Sequence, residues 1–182
     1  MQVAMSDSTL RARQSYGMNL DARGNYVLGK PTHCYGCGFS TDGASPTKRC
    51  AWGARCNVGR ERGPWFWRGI SVRQPFAGFI ARGEKPEEYR TWTVNYRGPI
   101  VIVASGAKID DGAEDWRAGK RRARWEASPE EWPTGKALCV ATLSEIREHA
   151  DYGYAWRLSN VVQIAPFSVT GKTSLYFLTV GA

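Results

Sequence analysis

The stretch Ile70-Ser71-Val72-Arg73-Gln74-Pro75-Phe76-Ala77, followed five residues later by Gly83-Glu84-Lys85-Pro86-Glu87-Glu88-Tyr89-Arg90-Thr91-Trp92, changes its hydrophobic period twice. Phe66 to Val72 reads as a strand. Pro75 then opens a helix, where its missing N–H is not needed. Phe76, Phe79 and Ile80 recur at helical spacing and form its buried face. Gly83 ends it as a C-terminal cap, and Glu88 to Thr93 reads as extended. This order delivers Lys85, Glu88 and Arg90 onto a turn and a strand, with Glu88 and Arg90 on one strand face. A Lys and an Arg beside a carboxylate, next to apolar walls, suit a phosphate, a nucleobase or a polarised amide. The same residues equally suit a fold-stabilising ion network.

Outward from this stretch the chain is mostly strands. Tyr96-Arg97-Gly98-Pro99 leads into the buried strand Ile100-Val101-Ile102-Val103-Ala104. Ala137 to Leu143 is another buried strand and makes Cys139 a core thiol. Trp156 to Ile164 and Ser174 to Val180 are the last strands. Asp110 to Ala127, with Trp116, Trp125 and the basic run Lys120 to Arg124, reads as a surface helix. The expected class is α+β: a small mixed barrel with flanking helices. Three segments are expected: a polar arm over 1–30, loosely docked; a cysteine module over 31–63; and a main domain over 64–182, with Gly63-Pro64 as the boundary.

The cysteines follow the pattern Cys34-x2-Cys37-x12-Cys50-x5-Cys56. A C-x-x-C turn lets two thiolates face one cation, and two more from a second loop close a tetrahedral zinc site. The second spacing is wider than the usual knuckle, and the neighbouring His33 is an alternative ligand. Lys48, Arg49, Arg55, Arg60 and Arg62 surround the second pair, where they suit a zinc–thiolate centre or a phosphate. Structural zinc is the expected cofactor.

The chain has 182 residues, with 25 Lys and Arg against 17 Asp and Glu, a net charge of +8. That excess favours polyanion partners. No apolar run reaches the length of a membrane span. Met1 to Leu10 is polar and lacks the apolar stretch of a secretory leader, so a cytoplasmic, intracellular protein is expected. Eight Trp and eight Tyr serve equally as stacking surfaces or as core.

The pattern Gly83-x-Lys85-x-x-Glu88-x-Arg90, flanked by Gln74-Pro75 and Arg97-Gly98-Pro99 and followed by Tyr154-Ala155-Trp156-Arg157-Leu158-Ser159-Asn160, resembles the ASCH family over about residues 65–180. Members share a PUA-like barrel. The resemblance implies a ligand cleft around Lys85, Glu88 and Arg90, and two functions of different class. One is a nucleic-acid-binding module for RNA, or for single-stranded DNA, that recognises a base or modified nucleoside. Arg68, Arg73, Lys85, Arg90 and Arg97 would meet phosphates, and Trp65, Trp67, Trp92 and Tyr96 would stack. The other is a small hydrolase, an acylcytidine amidohydrolase or a ribonuclease. In the amidohydrolase members a Lys, a Thr and a Glu are considered catalytic. The Lys matches Lys85, the Thr position is Glu88, and the later Glu matches Glu145. Thr91 and Thr93 are weaker stand-ins for the missing Thr, and His149 reads as a surface residue. A third reading is an interaction module with an empty cleft.

Overall fold

The computed structural model describes residues 16–37, 40–42, 50–106 and 132–181. A hairpin, β1 (Met18–Leu20) and β2 (Tyr26–Leu28), precedes a short 3-10 turn at Gly53–Arg55. Then follow β3 (Trp65–Val72), helix α1 (Phe76–Ala81), β4 (Glu87–Arg90), β5 (Gly98–Ala104), β6 (Lys136–His149), β7 (Gly153–Ser168) and β8 (Tyr176–Val180). Six strands form one sheet in the order β4-β7-β6-β5-β3-β8, in which β3 and β5 run parallel.

The apolar run of β5 is continuous because both faces of the sheet are covered. Ile100 and Ile102 point to a face shared with Ile70, Val72, Leu143 and Trp156, on which Ala77 and Ile80 of α1 pack. Val101 and Val103 point to the other face with Trp67, Val140, Tyr176 and Leu178. That second face is closed by Leu28 of the N-terminal hairpin and by Tyr16, two residues before it. We call the two the helix face and the hairpin face.

The expected strands and the Pro75-led helix are present, and Cys139 is fully buried. Three expectations need correction or restriction. The ladder stops at β4 and β8 and does not close into a barrel. These end strands have only four and five residues, so neither offers a long edge to the other. Residues 16–30 are not loosely docked. Tyr16 and Leu28 are 5% and 7% exposed, the Tyr16 hydroxyl bonds Thr142, and Trp67 Nε1 donates to the Gly29 carbonyl at 3.0 Å. Strands of three residues carry too few side chains for their period to stand out among polar neighbours. Third, α1 is the one α-helix among the described residues, and the helix expected over Asp110 to Ala127 lies outside them.

Candidate functional site

Helix α1 ends at Gly83, which takes φ +73°, a conformation a side chain strains, while its N–H bonds the Ile80 carbonyl at 2.8 Å. The chain then turns Lys85 inward. Lys85 is 3% exposed, and its Nζ donates to Glu88 Oε2 at 2.8 Å and to the Glu87 carbonyl. Glu88 is 8% exposed, and its other oxygen lies 3.3 Å from Arg90 Nη2. Arg90 also donates to the Ser71 carbonyl at 2.6 Å, and its buried Nε has no hydrogen-bond partner among the described residues. One carboxylate is thus held between two cations, leaving a net positive charge. Removing one member of such a buried set exposes the others to an uncompensated charge in low dielectric.

A cleft of about 1000 Å³ opens beside this cluster, at the carboxyl ends of the parallel pair β3 and β5. Glu88, Arg90, Arg73 and Lys172 supply its charges; Trp92, Phe76 and Tyr89 supply its aromatic wall. Trp92 stands edge-on to buried Trp156, ring centroids 4.8 Å apart, and its carbonyl accepts from Trp156 Nε1 at 3.3 Å. Trp92 is therefore a wall fixed from behind. Cations beside a fixed aromatic surface are the components that bind a phosphate and stack a base.

Glu145 does not join this cluster. Along β6 the two-residue period would put it on the same side as buried Leu143. The ladder is interrupted there: Leu143 pairs with Leu158 and Glu145 with Arg157, so two steps on β6 match one on β7. This bulge at Ser144 turns Glu145 over. Glu145, Arg157 and Glu87 then share one row, whereas Ile146, Trp156 and Glu88 share the next, on the opposite face. Glu145 is half-exposed, and its carboxylate lies 3.9 Å from Arg157. Glu87 instead accepts from Arg147 at 2.6 Å, which holds its carboxyl below the usual carboxylate range.

A family model described as the ASCH domain matches residues 70–164, just over half of the chain. The chain belongs to the ASCH family. No curated protein matches it. ASCH domains are generally RNA-binding or hydrolase-like. The matched segment of the ASCH domain contains Lys85, Glu88, Arg90 and Trp92; the cysteine cluster, the hairpin and the Lys172 side of the cleft lie outside it.

Other predicted residues of the ASCH region are spread more widely. Arg73 and Thr91 line the cleft. Arg97 is exposed and donates to the carbonyls of Val94 and Tyr96 at 2.9 and 2.8 Å. Tyr96 points away from the cleft toward Trp52, with its hydroxyl on the Pro99 carbonyl at 2.7 Å. Trp67 is core at 2% exposure, and Trp65 packs under Gly181. Thr93 is exposed. His149 stacks with Tyr89 and Tyr152 at 5.1 and 5.0 Å, near the tip of the β6–β7 hairpin. Sequence reasoning missed Lys172 as a cleft residue. Its one signal is a basic residue in the Gly171-Lys172-Thr173 loop before the last strand. Phe76 packs on the core from the helix and also forms part of the cleft wall.

Outside the ASCH match, Cys34, Cys37, Cys50 and Cys56 converge, their sulfurs all within 4.8 Å of one another. All four are free thiols. Three of the S–S separations are 3.6, 3.9 and 3.6 Å. A tetrahedral metal with ~2.3 Å metal–sulfur bonds requires edges of about 3.8 Å. The cluster therefore fits a single metal ion with four sulfur ligands. The wide x5 spacing is taken up by the 3-10 turn: Gly53 N–H bonds the Cys50 carbonyl at 2.9 Å and Cys56 N–H bonds Gly53 at 3.0 Å. Gly36 has no room for a side chain, since a Cβ would sit 2.5 Å from the Trp52 ring and 2.9 Å from Cys50 Sγ. His33 is exposed, outside the cluster, and its Nδ1 pairs with the Thr32 hydroxyl at 3.1 Å.

Burial pushes the Cys50 and Cys56 thiols up. For Cys34 burial pushes up too, but the backbone N–H groups near Asn57 and Gly36 and the neighbouring thiols outweigh it, and the net direction is down. Asn57, fully buried, ties this module to β3: its Nδ2 donates to the Phe66 carbonyl at 2.8 Å and its Oδ1 accepts from Phe66 N–H at 2.9 Å.

Proposed function

We propose that this ASCH protein binds single-stranded nucleic acid, RNA foremost, and takes a base or modified nucleoside into the cleft built around Gly83-x-Lys85-x-x-Glu88-x-Arg90. The observation that carries the reading is the charge balance of the cleft. Among the described residues, Arg73, Arg90 and Lys172 face it, and the one carboxylate there, Glu88, is already held by Lys85 and Arg90. Trp92, braced by Trp156, offers the stacking surface. In this reading Lys85 and Glu88 position Arg90, and Arg73 and Lys172 meet phosphate. Zinc is the ion proposed for Cys34, Cys37, Cys50 and Cys56, in a structural role.

The test is anisotropy titration of labelled single-stranded RNA against salt. Lys172→Gln and Arg73→Gln should each weaken binding and lower the salt slope by about 0.7, one phosphate contact on a single strand. Wild-type protein that binds no RNA at low salt would refute the reading.

The Lys85–Glu88 contact of 2.8 Å is the observation that favours a hydrolase. Against it, Glu145 lies on the other face, which removes the second carboxylate that water activation was to use. Turnover of acylated cytidines or of unstructured RNA by the wild type would establish that reading instead.

A further inference from the structure

The cysteine module meets the sheet at a seam where two arginines share one ring. The Arg68 guanidinium lies 3.9 Å from the Phe177 centroid, with Trp52 and Tyr96 at 5.6 and 5.8 Å. The Arg55 guanidinium lies 5.1 Å from the same Phe177 ring. Neither belongs to any ion pair among the described residues. Arg68 Nε is buried and has no acceptor among the described residues. Burial pushes the Arg68 guanidinium down from its ordinary value; Tyr96 opposes that shift and the nearby charge of Arg55 adds to it. Two like charges gathered on one ring, with an orphan donor, are unfavourable unless an anion joins them.

The thiols do not supply enough negative charge. Cys50 to Arg68 contains Arg55, Arg60, Arg62 and Arg68 against Glu61 alone. A divalent ion on four thiolates carries a net of about −2, less than that surplus. Arg60 is already committed: it stacks on Phe66 at 5.0 Å and donates to the Cys56 carbonyl at 2.7 Å. Arg55 is exposed, and its guanidinium lies over the Phe177 ring.

We propose that this seam is a second nucleic-acid contact, in which a backbone phosphate of single-stranded RNA docks between Arg55 and Arg68. The proposal rests on the nucleic-acid reading of the cleft and extends it to the cysteine module. Arg68, in the middle of β3, and the cleft residue Arg73, just past its carboxyl end, are about 17 Å apart at the usual rise per residue. One short oligonucleotide reaches both, whereas a mononucleotide reaches one.

The experiment uses the full chain in its metal-loaded form and a labelled single-stranded RNA of about 12 nucleotides, within the range such sites accommodate. Arg55→Gln, at an exposed position, should weaken binding roughly tenfold and lower the salt slope by about 0.7. Arg55→Lys should restore most of the slope. Arg68→Gln should behave like Arg55→Gln, with thermal melting to check that it folds. A mononucleotide should bind the wild type and Arg55→Gln alike. Three results would overturn the seam. If Arg55→Gln and Arg68→Gln match the wild type while Arg73→Gln loses affinity, the cleft reading stands and the seam falls. If the wild type binds no RNA, both fall. If inorganic phosphate binds as tightly per phosphate as the RNA does, the seam is a free-anion site rather than a nucleic-acid contact.

Discussion

The cleft and the cysteine seam hold the same kind of side chain in opposite arrangements. Lys85 and Arg90 share one buried carboxylate, Glu88. Arg55 and Arg68 share one phenyl ring and, among the described residues, no carboxylate. In the first region the carboxylate ties down both cations and sets where Arg90 points, with one positive charge in excess. In the second, no carboxylate among the described residues pairs with either cation. Counting basic residues does not separate the two; the presence of a paired carboxylate does.

The sharpest way to break the comparison is to remove the seam's foundation. Cys34→Ser should abolish stoichiometric metal binding and unfold the module, because metal binding at such sites is folding free energy, on the order of 10 kcal/mol or more. Cys34, Trp52 and Val58 form one small core with Tyr96 and Phe177 packed on it. Loss of the metal should therefore expose Trp52, read as a red-shifted tryptophan emission alongside metal analysis. Folded, metal-free protein with unchanged emission would show that the thiols are not a metal site.

A smaller effect is expected at the cleft. Glu88→Gln leaves Lys85 buried beside a neutral partner and should cost about 3–5 kcal/mol in denaturant unfolding. The pair Lys85→Met with Glu88→Leu should lose much less, since no buried charge remains unpaired. Equal losses for the single and double variants would show that Lys85 and Glu88 are not coupled.

The smallest effect belongs to the exposed counterpart, Arg147 with Glu87. Arg147 holds the Glu87 carboxyl below its ordinary value, so the pair's stabilisation is present above the unfolded-state carboxyl value, near pH 4, and is lost as pH falls through the lower folded value. Arg147→Ala should reduce stability slightly at neutral pH and not at all in strong acid. A difference that grows toward acid would contradict the sign.

Much of this was legible in the sequence because the signals are local. Pro75 and Gly83 bracket a helix, the β5 run alternates between Ile and Val on two buried faces, and Cys34 to Cys56 carries ligand spacing. Lys85, Glu88 and Arg90 sit at spacings that a turn and a strand bring together. Each of these depends on bonds and side chains within a few residues, or on thiols with a strong common preference for one ion.

What only the tertiary structure decided depends on partners distant in the chain. The face of Glu145 is set by where the β6–β7 register slips, and a bulge is a property of two strands rather than of one. Arg68 is turned from phosphate contact in the cleft to the Phe177 ring because β8 pairs beside β3 and the module packs over both. Tyr16 and Leu28 became core because the hairpin face was otherwise open to water. A side chain's type and spacing fix what it can do; which ring, carboxylate or solvent it meets is fixed by the strands and loops that pack against it.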